Sequence, residues 1–361
     1  MRICFFVSNP EGGVISSRAE GFKSFLSGKY EVRIFYKKGP LPCDFMRWLF
    51  YFLQNKPDIV YIIDTGVIGV SIAVLAKIFF RKKIICDTGD LTDELLRQEG
   101  RYLKAHIMRI VEDVAFYISD AIVVRGSFHK EWLEQKGFKR IHHIPDGVDT
   151  EKFKPMEVED LREKLGLKDV FTIGFLGSIV WNDKYKWCYG WDSVELLKIL
   201  KDYPVKGVIV GDGSGMPHLK KKIEEYNIAD KIVFMGYVKY EELPKYLNLM
   251  DVCLLTQSNT LPIKMRTTGK LPLYLSTGRF IIASDVGDAG RILKNKKLGI
   301  LLPHRGMKDE TYPSKEAEEI KKLLQNRERI REGMNGIEVA REFFDYRLLS
   351  KKLSDIIEHL F

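Results

Sequence analysis

Glycine-rich loops that follow strand-like segments are the first candidates for a phosphate site in this sequence. Gly12 and Gly13 follow an apolar segment at residues 2–8, and Arg18 comes about one turn into the helical pattern behind them. Adjacent glycines let a ligand approach the backbone, and N–H groups at a helix amino terminus can bind an anion. A plain strand-to-helix turn has the same composition, so both interpretations stay open.

A second loop of this kind lies in the other half of the chain. Gly211, Asp212 and Gly213 follow an apolar segment at residues 205–210. The loop could bind phosphate, but it lacks the Lys-Ser or Lys-Thr ending of a P-loop and the spacing of a dinucleotide-binding fingerprint. A kinase is therefore disfavoured, and a tight structural turn is the alternative.

Three cations precede a short helical pattern at residues 271–276. Lys264, Arg266 and Lys270 would point toward a helix amino terminus, where acidic side chains are usually preferred. An arrangement that is unfavourable without a counter-charge indicates that an anion completes it. We predict phosphate binding here, with a solvated basic loop as the alternative.

Acidic residues of the first half gather around the end of a strand-like segment at residues 83–87. They are Asp87, Asp90, Asp93 and Glu94. Asp90 is the candidate partner for a substrate hydroxyl, whereas at least two of the four are expected to cap a helix or to face solvent.

Other kinds of catalytic chemistry find little support. The seven histidines show no metal-ligand spacing and no Gly-x-Ser-x-Gly motif occurs, which disfavours a metalloprotease and a serine hydrolase. The five cysteines are scattered without paired spacing, as in a reduced cytosolic protein. We therefore expect neither a metal site nor a disulfide.

Short β-branched and aromatic segments alternate with helical patterns along the chain. The predicted strands lie at residues 2–8, 32–36, 59–63, 83–87, 121–124 and 140–144, and again at 171–176, 205–210, 231–235, 252–255, 280–284 and 299–302. Strands separated by helices predict a parallel sheet covered on both faces. A chain of 361 residues has room for two such doubly wound α/β domains.

The boundary between the two domains and the end of the chain have their own signals. Residues 147–160 combine turn-forming and charged residues with Pro155, which is typical of a linker. The last segment, 346–360, places Leu349, Leu353 and Ile356 at helical spacing. It predicts an amphipathic helix, which we expect to pack on the amino-terminal domain.

A net charge of +9 and a pI near 9.0 fit nucleic acid, an anionic membrane, a phosphorylated substrate or a lysine-rich solvated surface. We do not expect nucleic acid, because no RNA-binding aromatic motif or helix-turn-helix pattern occurs. The longest apolar segment, 67–80, is too short to cross a bilayer, and the amino terminus lacks a cleavable signal pattern. We expect a cytoplasmic protein.

Two segments of the first half also favour a peripheral position at an anionic membrane surface. Residues 45–52 are rich in aromatic side chains, and residues 79–83 combine two phenylalanines with three cations. Aromatic and basic residues together suit a membrane interface. An ordinary core helix is the alternative for residues 45–52.

Several segments together resemble the retaining glycosyltransferases of family 4, whose GT-B fold consists of two Rossmann-like domains facing each other across a cleft. Residues 144–149, Ile-Pro-Asp-Gly-Val-Asp, resemble the family's interdomain signature Ile-Pro-Asn-Gly-Val-Asp. Residues 270–278 resemble Lys-Leu-x-Glu-Tyr-Leu-Ala-x-Gly. The two glycine loops and residues 284–287 follow the family's order, so the resemblance spans most of the chain.

The departures from the family pattern concern the donor site. Met265 and Leu273 stand where the family usually has two glutamates, the second of which binds the donor ribose. Ser178 and Tyr189 stand where an arginine and a lysine often follow the first strand of the second domain, and Gly89 replaces a histidine.

The resemblance implies a hexosyl-type glycosyltransferase that moves a sugar from a nucleotide diphosphate donor to a glycan, lipid-linked or small-molecule acceptor. It implies retention of configuration without a metal or other cofactor. The implied domains are an acceptor domain at 1–155, a donor domain at 156–335 and a helix at 336–361 returning to the first domain. A catalytically degenerate binding or scaffold subunit is the alternative, because the ribose-binding glutamate is absent.

A departing diphosphate needs chiefly charge stabilisation, which cations and backbone N–H groups supply. We therefore predict as catalytic residues Arg266, Lys270 and Asp90. The predicted donor-binding residues are Gly12, Gly13, Arg18, Ser178, Gly211, Asp212, Gly213 and Lys264.

Overall fold

The fold is described by a computed structural model covering residues 1–13, 15–296 and 298–361. The chain divides into two compact units. The first unit comprises Met1–Asp149, Leu261–Thr267 and Phe343–Phe361, and the second comprises Thr150–Thr260 and Thr268–Glu342. The first unit thus ends before the predicted boundary at residue 155, and it includes residues 261–267, which the sequence placed in the donor domain.

A parallel six-stranded sheet forms the centre of the first unit. Its strands are β1 (Arg2–Val7), β2 (Glu31–Tyr36), β3 (Ile59–Ile63), β4 (Lys83–Thr88), β5 (Ala121–Val124) and β6 (Ile141–His143). They pair in the order β2-β1-β3-β4-β5-β6. The sequence predicted all six strands; β1, β3, β4 and β5 are largely buried, whereas the edge strand β2 exposes Glu31 and Arg33.

Helices cover both faces of this sheet. They are α1 (Ser16–Leu26), α2 (Leu41–Asn55), α3 (Val67–Phe80), α4 (Thr92–Gln98), α5 (Tyr102–Ile118), α6 (Ser127–Gln135), the short α11 (Leu261–Lys264) and the last helix, α16 (Tyr346–Glu358). Strand β1 shows how one strand serves two cores. Phe5 lies in a core with α1 and α16, whereas Phe6 lies in the opposite core with α2 and α3, as the period of two in a strand requires.

The carboxyl-terminal helix α16 packs on the sheet of the first unit. Leu349, Leu353 and Ile357 are buried in the same core as Phe22 of α1. Gly21 of α1 permits this approach, since a Cβ there would lie 2.5 Å from the ring of Tyr346. The structure thus places the end of the chain on the amino-terminal sheet.

The second unit contains another parallel six-stranded sheet. Its strands are β7 (Phe171–Leu176), β10 (Val205–Val210), β11 (Ile232–Gly236), β12 (Val252–Leu255), β13 (Phe280–Ser284) and β14 (Gly299–Leu302). The order is β11-β10-β7-β12-β13-β14. The predicted strands are confirmed, and so is the α/β class of both units.

Helices of the second unit follow its strands in alternation. They are α7 (Glu159–Lys164), α8 (Trp191–Ile199), α9 (Met216–Tyr226), α10 (Leu243–Leu247), α12 (Lys270–Ser276), α13 (Gly287–Lys296), α14 (Tyr312–Gln325) and α15 (Gly336–Phe343). A hairpin of two short antiparallel strands, β8 (Trp181–Asn182) and β9 (Trp187–Cys188), lies between β7 and α8. The sequence did not predict this hairpin.

Candidate functional site

The loops after β7 and β10 in the second unit contain several predicted donor-site residues. Gly177 and Ser178 follow β7, and Gly211 follows β10. The Gly177 N–H donates to the carbonyl of Val210 at 2.9 Å. A Cβ on Gly211 would collide with the carbonyl oxygen of Gly177. Glycine at position 211 is therefore required for the two loops to meet backbone to backbone.

Two N–H groups of the predicted phosphate loop at residues 211–213 donate to protein oxygens. The Gly211 N–H donates to the carbonyl of Gly236 at 2.8 Å, and the Gly213 N–H donates to the Asp212 carboxylate at 2.7 Å. In this conformation neither group is available to a phosphate. These hydrogen bonds favour the tight turn, which the sequence left open as the alternative, and phosphate binding by this loop stays a prediction.

Lys270 brings a cation to the loop after β7. It begins α12, and its ammonium lies over the rings of Phe175 at 4.4 Å and Tyr189 at 5.2 Å. A Cβ on Gly177, which has a φ of 156°, would lie 2.6 Å from the Lys270 Nζ. The absence of a side chain at Gly177 therefore makes space for the Lys270 ammonium. This position lies at the carboxyl end of β7, where ligands bind in open parallel sheets.

Two buried apolar side chains stand where a ribose-binding carboxylate was expected. Leu273 and Met265 are each 6% exposed. Leu273 belongs to α12, in which every residue from Leu271 to Ser276 is buried. A ribose hydroxyl thus finds no hydrogen-bond partner at either side chain.

The other predicted cations, Lys264 and Arg266, belong to the first unit, whereas Lys270 belongs to the second. Arg266 donates to the Asp90 carboxylate at 2.9 Å, and the pair is about one-third exposed. Burial alone would raise the pKa of Asp90, but Arg266 and Arg125 lower it. Lys264 is exposed at the end of α11. The prediction that the three cations bind a phosphate together stays a prediction.

Arg18 is buried and fully engaged by protein groups. Its Nε donates to Asp87 at 2.8 Å, and its two terminal nitrogens donate to the carbonyls of Pro145 at 2.8 Å and Ile144 at 2.9 Å. Only 1% of the Arg18 side chain is exposed. The guanidinium thus ties α1 to the ends of β4 and β6, which favours a structural role, and the donor contact of Arg18 stays a prediction.

A second buried arginine, Arg125, directly follows β5. Its guanidinium contacts Asp64 at 2.8 Å and Asp87 at 3.4 Å. A Cβ on Gly89 would lie 2.6 Å from the Arg125 Cδ. Arg125 thus fills the room over Gly89, the position where the resemblance leads one to expect a histidine.

Asp64 is a partly exposed carboxylate at the end of β3. Its φ of 62° is unusual for a residue other than glycine, and its N–H donates to the carbonyl of Asp87 at 2.8 Å. Burial raises the pKa of Asp64 to about 6, although Arg125 acts in the opposite direction. A carboxylate with this pKa at the carboxyl edge of a sheet can accept a hydrogen bond from a hydroxyl.

The loop after β1 is a tight turn that leaves its glycines accessible. Gly12 has a φ of 76°, a conformation that favours glycine. The Gly13 N–H donates to the carbonyl of Pro10 at 3.1 Å, and the carbonyl of Gly13 accepts from Ser16. The turn is consistent with both interpretations of this loop from the sequence.

His129 on α6 is buried without a hydrogen-bond partner for either ring nitrogen within the described ranges. Burial lowers its pKa to about 4, with Asp90 opposing and Arg125 reinforcing that effect. The imidazole is therefore neutral at pH 7, and it lies in the same neighbourhood as the Arg266–Asp90 pair.

Three members of this charged region were not predicted from the sequence: Arg125, Asp64 and His129. Arg125 and Asp64 are each the first residue after a predicted strand, where ligands bind in open parallel sheets. That position was the available signal. His129 carried no comparable signal, because one histidine in a helical pattern indicates nothing about its neighbours.

Metal chemistry has no candidate centre in the described part of the chain, where no group of three or more His, Cys, Asp or Glu side chains is placed to hold an ion. The five cysteines are all free thiols, and four of them are buried. No described helix combines the length and apolar character needed to cross a bilayer.

Comparison with known proteins gives two kinds of match. Residues 170–326 match the family model described as "Glycosyl transferases group 1". The chain is 30% identical over 117 residues to the 2-deoxystreptamine glucosyltransferase of Streptomyces kanamyceticus, covering 31% of this chain and 29% of that protein. It is 25% identical over 224 residues to a GDP-mannose-dependent phosphatidylinositol monomannoside mannosyltransferase of Mycobacterium tuberculosis. This match covers 60% of this chain and 55% of that protein. The chain thus spans about half or less of these relatives.

The structural match extends over the whole chain. The crystal structure of Anabaena HepE in complex with UDP is similar to this structure, with a TM-score of 0.77. The two sequences are 14% identical, and the match covers 99% of this chain and 100% of the HepE chain. At this identity the likeness concerns the fold alone. Residues 170–326 are therefore similar in sequence to group 1 glycosyltransferases, and the chain has a GT-B fold with two Rossmann-like units.

Proposed function

We propose that this protein is a glycosyltransferase that transfers a hexosyl group from a nucleotide diphosphate donor to an acceptor. The match of residues 170–326 to group 1 glycosyltransferases supports the reaction class. The UDP complex of Anabaena HepE, which shares the fold, supports a nucleotide donor. The acceptor, a glycan, a lipid-linked sugar or a small molecule, would bind to the first unit.

The observation that carries this proposal is the position of Lys270 beside Gly177. A primary ammonium at the carboxyl end of β7 supplies the positive charge that a departing diphosphate needs. Charge-assisted contacts to phosphate contribute on the order of 1.5–3 kcal/mol each. In the proposed reaction this ammonium, with no metal ion, stabilises the diphosphate while the sugar is transferred with retained configuration.

The acceptor side of the proposal rests on the charged region of the first unit. Asp64 and Asp90 are partly exposed carboxylates held by Arg125 and Arg266. Carboxylates oriented in this way can accept hydrogen bonds from acceptor hydroxyls. The free cysteines support the further proposal of a cytoplasmic location.

Titration calorimetry with UDP and GDP tests the donor site. Replacing Lys270 by Met should weaken binding of the nucleotide diphosphate at least tenfold, since about 1.4 kcal/mol corresponds to tenfold. Lys221→Met is the matched control, because Lys221 is 78% exposed on α9, and it should leave the affinity unchanged.

A catalytically degenerate binding subunit is the second candidate, and the burial of Met265 and Leu273 favours it. The two candidates differ in one measurement. If neither nucleotide binds to the wild-type protein at millimolar concentration, the transferase proposal fails and the scaffold function replaces it.

A further inference from the structure

The first unit exposes an unusual amount of apolar surface on three neighbouring helices. Within the described residues, 25 large apolar side chains are exposed, and thirteen of them lie on α2, α3 and α5. Helix α3 packs against both α2 and α5, so these helices form one layer on the sheet. We call the exposed side chains of the three helices the apolar face.

Helix α2 supplies a stripe that runs along its length. Cys43, Met46, Phe50 and Leu53 are exposed at spacings of three and four residues, so they share one side of the helix. Met46 is 63% exposed and Phe50 60%. The opposite side of α2 is also apolar, with Trp48 and other aromatic residues in the core. A helix at a protein–water boundary would normally show polar residues on its outer side.

The ends of α2 and α3 meet in an aromatic corner. Phe52 and Phe80 form an edge-to-face ring pair with centroids 5.2 Å apart. Next to this pair, Ile78 is 64% exposed and Phe79 is 70% exposed. The sequence already indicated these residues, but only the structure shows that they adjoin the stripe of α2.

Helix α5 extends the apolar face in a direction that the sequence analysis did not predict. Its exposed side chains include Leu103 at 78%, Ile107 at 48%, Ile110 at 53% and Tyr117 at 78%. Contiguous exposed apolar area of this kind marks an interaction surface in a soluble protein.

The exposed charges around the apolar face are mainly positive. Helices α2, α3 and α5 contain three acidic residues, of which Asp44 and Glu112 are buried and Asp113 pairs with Arg109. The exposed cations on and beside the helices are Lys38, Lys56, Arg81, Arg101 and Lys104, of which Arg101 pairs with the exposed Glu99 at 3.3 Å. Such a surface complements negative charge spread over an area.

We propose that α2, α3 and α5 dock this protein on an anionic lipid bilayer, with the apolar side chains entering the interface and the surrounding cations meeting lipid phosphates. Apolar area and attraction to anionic lipids both contribute to interfacial binding. None of the described helices is built to span the bilayer, so the contact is peripheral. This docking does not depend on the proposed transferase activity.

Co-sedimentation with vesicles tests the docking. Wild-type protein should bind phosphatidylcholine vesicles containing 30% phosphatidylglycerol and should bind pure phosphatidylcholine vesicles at least about tenfold more weakly. Binding should weaken further when salt is raised from 0.05 to 0.5 M, because charges are screened. Equal binding to both vesicle types overturns the role of the cations.

The variant Met46→Ser/Phe50→Ser/Leu53→Ser tests the apolar contribution and should reduce binding to anionic vesicles at least about tenfold. The control is Tyr237→Ser/Met334→Ser, which removes exposed apolar side chains from the second unit and should bind as the wild type does. Arg81→Gln/Lys104→Gln should also weaken binding, whereas Lys220→Gln/Lys221→Gln should not.

Two further measurements keep this test decisive. Circular dichroism spectra and thermal melting should be unchanged in the triple serine variant, because its side chains are exposed in the folded state. Sedimentation velocity should show a monomer at all concentrations. A concentration-dependent dimer that the triple variant abolishes would assign the apolar face to a second copy of the chain and overturn the bilayer proposal, as would unchanged vesicle binding.

Discussion

At the level of single residues, two cations that look alike in the sequence differ in the structure in their exposure and in the protein groups that they contact. Arg18 and Lys270 were both predicted to contact a ligand. Arg18 is 1% exposed and donates to a carboxylate and two carbonyls. Lys270 is half-buried, and its ammonium lies over two aromatic rings. Of the two, Lys270 keeps the exposure that the proposed contact with a diphosphate requires.

Replacement of Arg18 by Met should destabilise the first unit strongly. The change leaves the Asp87 carboxylate, which is 0% exposed, without one of its two arginines. Breaking a buried ion pair costs about 3–5 kcal/mol. Chemical denaturation measures the free energy of unfolding, and Lys23→Met on the same helix, where the lysine is 43% exposed, should change it by less than about 0.5 kcal/mol. If Arg18→Met instead keeps the stability of the wild type and loses nucleotide binding, Arg18 is a donor-binding residue.

At the scale of elements, two buried acids lie where α8 packs against α14. Asp192, in the first turn of α8, is 5% exposed, and Glu316 on α14 is fully buried. Burial raises the pKa of Asp192 to about 7 and that of Glu316 well above its ordinary value. Glu195, Lys308 and Asp309 also act on Asp192. The packed helices therefore favour protonated carboxyl groups.

This preference predicts how stability depends on pH. A raised pKa means that the folded state binds a proton more tightly than the unfolded state does, so the stabilisation is complete below about pH 4 and is lost as the pH rises to about 7. Asp192→Asn keeps the neutral form and should raise the free energy of unfolding at pH 8 by about 1–3 kcal/mol relative to the wild type.

Denaturant titrations at pH 5 and pH 8 check this expectation. The gain from Asp192→Asn should shrink at pH 5, where the native carboxyl group is already protonated. Asp202→Asn, at an exposed position in the same unit, should show no pH-dependent gain. A gain of equal size at both pH values would mean that ionisation of Asp192 does not limit stability.

At the scale of the whole molecule, the chain leaves its first unit after Asp149, contributes Leu261–Thr267 to it, and returns to it finally at Phe343. The returning segment forms a parallel bridge between Val148 and Asp345 and then continues as α16. The folding of the first unit therefore needs residues from both ends of the chain.

The variant Leu353→Ala tests how much the carboxyl-terminal helix α16 contributes to the stability of the first unit. Leu353 is fully buried in the core under α1, and removal of such a side chain costs about 2–5 kcal/mol. Leu348→Ala on the same helix, where the leucine is 42% exposed, should cost less than about 0.5 kcal/mol. Unfolding followed by tryptophan fluorescence measures both. Similar stability of the two variants would show that α16 does not support the first unit.

The strands of the two large sheets and the α/β class could be predicted from the sequence alone. The central strands are short apolar segments, because a parallel strand covered on both faces is buried along most of its length, whereas the edge strand β2 exposes Glu31 and Arg33. The helical spacing of Leu349, Leu353 and Ile356 likewise indicated a helix with one buried side. These signals are local, since each depends on which side of one element faces a core.

Only the tertiary structure decided which side chains meet. Arg266 pairs with Asp90 although 176 residues separate them, and Arg18 finds its carboxylate on β4 rather than on a ligand. The Gly211 N–H likewise donates to the carbonyl of Gly236 because β11 lies beside β10. The physical reason is that an ion pair or hydrogen bond depends on distances of a few ångströms, which packing sets and local composition does not encode.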